Sequence, residues 1–174
     1  MLKNYSSIPR LAASAMVAGV LSLPAFALEV GQAAPEFSLP SQAGKTVNLA
    51  GLRGHYIYVD FWASWCGPCK QSFPWMNALQ AKHAASGFQV VAINVDEKPA
   101  DATRFLGGVP ASFTVLFDGK GVTPAAYAVQ GMPTSFLVGP DGKVLLVHKS
   151  FKEGDRAELE RRIAAAISAT GTTP

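Results

Sequence analysis

The chain has 174 residues and carries 15 Lys and Arg against 12 Asp and Glu, a formal net charge of +3. No basic stripe with interleaved aromatics occurs in it, so nucleic-acid binding has no support. Two of the basic residues, Lys3 and Arg10, lie in the first 27; without that stretch 147 residues of formal charge +1 remain, enough for one domain with a core and too balanced to suggest an anionic membrane as partner.

The amino-terminal stretch reads as targeting. Lys3 and Arg10 give a positive start, Leu11 to Leu23 form an apolar run, and Pro24 precedes Ala25-Phe26-Ala27, a small-residue cleavage pattern. The run is too short for an ordinary spanning helix, which needs roughly 20 apolar residues. A signal peptide over residues 1–27 and a domain over residues 28–174 are therefore expected, with an uncleaved anchor as the alternative. The bacterial character of the signal points to the periplasm, and the lack of a cysteine beside the cleavage site argues against a lipid anchor.

Ala34 to Pro40 reads as a short edge strand bracketed by prolines, Ser41 to Lys45 as a turn, and Thr46 to Leu49 as the returning strand. A short helical turn follows between Asn48 and Gly54. His55 to Trp62, rich in aromatic and β-branched residues, reads as a central strand interrupted by Asp60. Gly67 to His83 turns helical, with Pro74 inside it expected to kink it, and Gly87 stops it. Phe88 to Val95 is a second buried strand. A helix around Asp101 to Leu106 is expected to end at Gly107-Gly108, with a third strand at Ser112 to Phe117 and a short helix at Pro124 to Val129. Ser135 to Val138 and Val144 to His148 form a hairpin about Asp141-Gly142. The last helix runs from about Gly154 to Ser168, and 170–174 is expected to fray. This order implies parallel crossovers followed by antiparallel strands in one sheet.

The chain's two cysteines, Cys66 and Cys69, stand between the central strand and the helix. Metal knuckles share the C-x-x-C spacing, but a pair that follows a buried strand and opens a helix points to thiol–disulfide chemistry. A bridge between i and i+3 closes a tiny loop and constrains little of the unfolded chain, so it suits being made and broken better than stapling a fold. Asp60 leaves two readings open. A carboxylate in a central strand is costly to bury unless it is used, and a strand-end aspartate can also reach solvent.

Trp65-Cys66-Gly67-Pro68-Cys69, preceded by Val59-Asp60-Phe61-Trp62-Ala63, resembles the thioredoxin active site, and Gly131-Met132-Pro133-Thr134 resembles that family's cis-proline loop. The lead-in Ala34 to Pro40, the strand end Asn94-Val95-Asp96-Glu97 and the segment after it resemble the exported TlpA/ResA-type branch. The resemblance implies an α/β fold, a thioredoxin-like three-layer sandwich with a central mixed sheet flanked by helices, an amino-terminal β-hairpin and a central strand–helix insertion. ResA-like reductases of cytochrome c maturation carry a glutamate three residues after the second cysteine; this chain has Ser72 there, and has the buried aspartate of thioredoxin at Asp60.

What the resemblance implies for chemistry follows residue by residue. Cys66, at a helix amino terminus that favours an anion, is the nucleophile that attacks a substrate disulfide. Cys69, one turn on and deeper, is the resolving thiol. Asp60 accepts its proton, with a pKa raised by desolvation. Gly67 lets the backbone pass close to the sulfurs, and Pro68 is tolerated in the first turn; the Gly-Pro pair resembles reducing members of the family. Pro133 is expected in cis, leaving the Met132 backbone to pair with an extended substrate segment. Trp62 and Trp65 form the support and rim of the site, and Trp75 packs. The partners implied are protein disulfides and a membrane-embedded thiol donor, since a reductant in an oxidising periplasm needs a supply of electrons; a monomer is expected, with no cofactor and no metal.

Two other functions compete. Soft thiolates suit Cu(I), and copper binding or delivery by Cys66 and Cys69 with Met132 or a histidine is the alternative, although His55, His83 and His148 show no ligand spacing. A peroxidase of the peroxiredoxin type needs a threonine three residues and a proline seven residues before its reactive cysteine; Ala63 and Val59 stand there.

Overall fold

The computed structural model describes residues 27–170. The signal peptide expected over 1–27 and the fraying expected over 170–174 fall almost wholly outside them. In chain order the elements are β1 (Ser38–Pro40), β2 (Thr46–Asn48), β3 (Tyr56–Trp62), α1 (Gly67–His83), β4 (Phe88–Asn94), α2 (Pro99–Gly108), β5 (Thr114–Phe117), α3 (Val122–Ala126), β6 (Thr134–Val138), β7 (Val144–Lys149) and α4 (Arg156–Thr170).

Five strands form one mixed sheet in the order β5-β4-β3-β6-β7. β3 pairs in parallel with β4, and β4 with β5; β6 and β7 add antiparallel. All seven residues of β3 are buried, as expected of a strand covered on both faces. The strand period of two divides them. Tyr56, Tyr58 and Trp62 join the core made with Phe73, Met76 and Leu79 of α1, Ala102 and Leu106 of α2, and Leu159 and Ile163 of α4. Ile57, Val59 and Phe61 face the other way, into a core shared with Ala34, Phe37, Leu49 and Tyr127. The result is the expected three-layer sandwich with its amino-terminal hairpin and inserted strand–helix segment.

The lead-in does more than form a hairpin. Gly31 and Ala34 donate backbone hydrogen bonds to Val144 and Gly142 at the start of β7, and Gln42 donates to Val115 of β5. The segment therefore crosses the sheet from one edge strand to the other and lays Phe37 and Leu49 on its second face. Arg53 fastens it, donating to Glu36 Oε1 at 2.6 Å and to the Asp141 carbonyl at 2.7 Å. Its guanidinium lies over Gly142, where a Cβ would stand 0.9 Å from Nη1 and would displace it, and where the φ of +81° favours glycine.

Several boundaries differ from expectation for local reasons. α2 runs through Gly107 and Gly108 and stops at Val109, whose φ of −137° and ψ of 84° are set by the following Pro110. α3 begins and ends earlier than expected: Asp118 Oδ2 accepts from Thr123 N at 2.6 Å at its start, and Ala128, at φ 51°, follows its end. α1 keeps the expected bounds, Gly67–His83, with Pro74 inside it and exposed.

Candidate active site

Cys66 is the N-cap of α1, in an extended conformation with φ −86° and ψ 104°. Its Sγ accepts a hydrogen bond from Cys69 N at 3.2 Å, one of the first-turn N–H groups that lack a helical partner. The two cysteines form a disulfide with S–S 2.03 Å, and burial differs between them: Cys66 is 5% exposed, Cys69 fully buried. Pro68 occupies the first turn, where its missing N–H costs nothing. A Cβ at Gly67 would meet nothing within 4 Å outside its chain neighbours, so in this oxidised state there is open space beside it. Ser72 is buried and donates to the Cys69 carbonyl at 3.0 Å, so no carboxylate lies at that helical position.

The Met132–Pro133 peptide bond is cis. Met132 packs against the core cluster that contains both cysteines, and β6 starts at Thr134, so the Met132 backbone lies beyond the sheet's ladders. The loop is held from both sides, by Ser150 N donating to the Pro133 carbonyl at 2.8 Å and by Thr134 Oγ1 donating to the Gly131 carbonyl at 2.6 Å. Trp65 is 72% exposed beside Cys66 and lines a cleft of about 300 Å³ with Lys70, Arg104 and Phe105. Trp62 is wholly buried beneath it, with ring contacts to Phe73 and Phe105, and Trp75 packs against Tyr58 and Phe151.

Asp60 does not reach solvent; it is 1% exposed. The alternation of β3 puts it between Tyr58 and Trp62, on the face that α1 and Cys69 cover. Ser135 Oγ donates to its Oδ1 at 2.6 Å, and Oδ2 is buried without a partner among the described residues. Burial pushes the carboxyl up to about 7, against a smaller lowering by the Ser135 hydrogen bond. Burial and then the Asp60 charge hold the Tyr58 hydroxyl above its usual range, so it stays protonated.

A second buried carboxylate shapes the approach to Cys66. Asp96 accepts from Ser64 N at 2.9 Å, from Ser64 Oγ at 3.0 Å and from Asn94 Nδ2 at 2.7 Å. The loop between β3 and α1 is thereby tied to the end of β4. His55, His83 and His148 lie apart from the cysteines, and among the described residues no cluster of three or more His, Cys, Asp or Glu is placed to hold a metal ion.

A profile of the family described as Redoxin matches residues 29–163. The chain belongs to the Redoxin family. Over 133 residues it is 33% identical to a thiol-disulfide oxidoreductase ResA of Bacillus cereus, covering 76% of each chain. Over 118 residues it is 40% identical to ResA of Bacillus subtilis, covering 67% of this chain and 65% of that one. Among solved structures, a Chlorobium tepidum protein described as a candidate DsbE thiol:disulfide interchange protein superposes with a TM-score of 0.78 at 57% identity, covering 81% of this chain and 99% of that one. With its cysteine pair, this Redoxin member is a thiol–disulfide oxidoreductase.

Sequence reasoning missed Ser135 and the Ser64–Asn94–Asp96 cluster. Both depend on strand register: Asp60 pairs opposite Ser135 across β3–β6, and Trp62 opposite Asn94 across β3–β4. The available signal was polar residues inside otherwise apolar strands.

Proposed function

We propose that this Redoxin member is a periplasmic reductant of protein disulfides, working through Cys66, Cys69 and Asp60. The observation that carries the reading is the bridged pair at the start of α1 with a buried carboxyl on the same face of the sheet, one of its oxygens unpartnered among the described residues. The leader-like stretch with Lys3, Arg10 and Ala25-Phe26-Ala27 supports export, and Gly67-Pro68 supports a reducing poise.

In the reduced protein the Cys66 thiolate, favoured by the first-turn N–H groups and the helix dipole, attacks one sulfur of a substrate disulfide. One substrate thiolate leaves and a Cys66–substrate disulfide forms. Cys69 then gives its proton to the Asp60 carboxylate and attacks Cys66 Sγ. The mixed disulfide breaks, the second substrate thiolate leaves with its electron pair, and the Cys66–Cys69 bridge closes. Trp65 and the Met132 backbone, beside cis Pro133, bind the extended substrate segment, and the open space at Gly67 admits it. Two electrons and two protons from a membrane-embedded dithiol donor restore the reduced pair, with the protein acting as a monomer.

Cys69→Ser removes the resolving thiol and keeps the nucleophile. Expressed in the periplasm, the variant is expected to accumulate covalent complexes with exported proteins, visible as dithiothreitol-sensitive bands on non-reducing gels, while Cys66→Ser gives none. Absence of any such complex would sink the mechanism. The in-cell state of the wild-type pair gives the direction of electron flow: a mostly reduced pair is expected.

A further inference from the structure

Asp60 carries two unlike oxygens. Oδ1 accepts a 2.6 Å hydrogen bond from Ser135 Oγ, and Oδ2 is buried and unpartnered among the described residues. Ser135 is 3% exposed and stands opposite Asp60 in the β3–β6 register, two residues after Pro133. We propose that Ser135 is a positioning residue for the reaction: by holding Oδ1 it fixes the carboxyl and leaves Oδ2 as the oxygen that takes the Cys69 proton. The inference rests on the proposed role of Asp60 as proton acceptor.

The torsion that orients a carboxyl is broad, and its two ionised oxygens are equivalent, so without a donor the carboxyl plane can swing away from Cys69. A hydroxyl held on one oxygen fixes that plane and keeps the other oxygen free. It also stabilises the ionised form, working against the burial that would otherwise leave the acceptor protonated at neutral pH. The other groups on this face do not supply the same bond. β4 presents Ala92 opposite Asp60. Tyr58 of β3 stays a neutral phenol, held up by burial and the Asp60 charge against a smaller lowering by its hydrogen bond with Ser135, and α1 contributes Cys69, bridged in this state. β7 places His148 opposite Ser135; burial lowers its pKa, Asp155 opposes this and Arg162 adds to it, and its Nε2 has no partner among the described residues. Ser135 is the one hydrogen-bond donor to Asp60 among the described residues. It lies on the strand that carries the Pro133 loop, so the substrate loop and the acceptor share one rigid element.

The test is dithiothreitol-driven reduction of insulin disulfides by the protein as purified from the periplasm, followed from pH 5 to 9. The wild-type rate is expected to rise with pH through the Asp60 titration, and Asp60→Asn to abolish that limb. Ser135→Ala should move the limb upward by roughly one pH unit and lower the rate at pH 7 about fivefold. Ser135→Thr, which keeps the hydroxyl, should restore both. Independently of turnover, the infrared carbonyl band of protonated Asp60, absent in Asp60→Asn, should titrate at higher pH in oxidised Ser135→Ala. A Ser135→Ala limb and band that coincide with wild type, or an equal loss of rate at every pH, would overturn the positioning role while leaving Asp60 as the acceptor. If instead Asp60→Asn keeps the wild-type limb, the acceptor reading itself falls and this inference falls with it.

Discussion

Burial of Asp60 makes the stability of the fold depend on pH. The carboxyl is raised from 3.8 to about 7, chiefly by burial. The folded state therefore holds this proton more tightly than the unfolded chain. The contribution to stability is fully present below about pH 4 and is lost as pH rises through 7. Asp60→Asn keeps the volume and an acceptor for Ser135 but removes the charge. In urea titrations of the oxidised protein, the variant is expected to be more stable at pH 8 by on the order of 2–4 kcal/mol, with the difference vanishing near pH 4. A pH-independent difference would mean that the wild-type carboxyl is not buried as an acid. At the same scale Ser72 donates its hydroxyl to the Cys69 carbonyl at 3.0 Å, and a neutral hydroxyl, unlike a carboxylate, is no base for a thiol proton.

Between elements, β3, α1 and β4 meet at the loop before Cys66, and Asp96 joins them. Its carboxylate receives three hydrogen bonds, two from Ser64 and one from Asn94. Asp96→Ala leaves those donors unpaired in a largely buried place and is expected to cost about 2–3 kcal/mol. The functional consequence is local: Ser64 and Trp65 amides should exchange with deuterium faster, while amides in the middle of β4 keep their protection. Uniformly faster exchange would show that Asp96 supports the whole sheet instead of the loop. α1 is itself anchored below the site by Phe73, whose ring meets those of Trp62, Phe105 and Phe113. That aromatic cluster draws on β3, α1, α2 and the segment before β5, and so couples the inserted helix to the helix that carries Cys66 and Cys69.

At the scale of the molecule, redox state and stability are linked through one thermodynamic cycle. A dithiol that serves as a reductant is one whose disulfide form is the more stable fold, the reverse of an oxidant whose reduced form is stabilised. The oxidised protein is therefore expected to unfold at a higher temperature than the dithiothreitol-reduced one, by calorimetry at neutral pH; the opposite order would assign it to oxidation. The strap from Gly31 to Leu49 closes the second face of the sheet. What the amino-acid sequence determined by itself was whatever is written in contiguous residues or short periods. The strand, Cys66-Gly67-Pro68-Cys69 and the helix α1 stand side by side, and the alternation of apolar strands with helical segments specified the layered α/β fold. Helix α2 overran its two glycines because Pro110, two residues past them, acted on the backbone of Val109. Tertiary structure alone decided which distant residues met. Ser135 reaches Asp60 across 75 residues and Asp96 reaches Ser64 across 32, and both pairings follow from strand register, which no single stretch of sequence contains. Burial did the rest: a carboxyl's acidity depends on the solvent that the folded layers remove, so Asp60 gained its raised pKa only when α1 closed over β3.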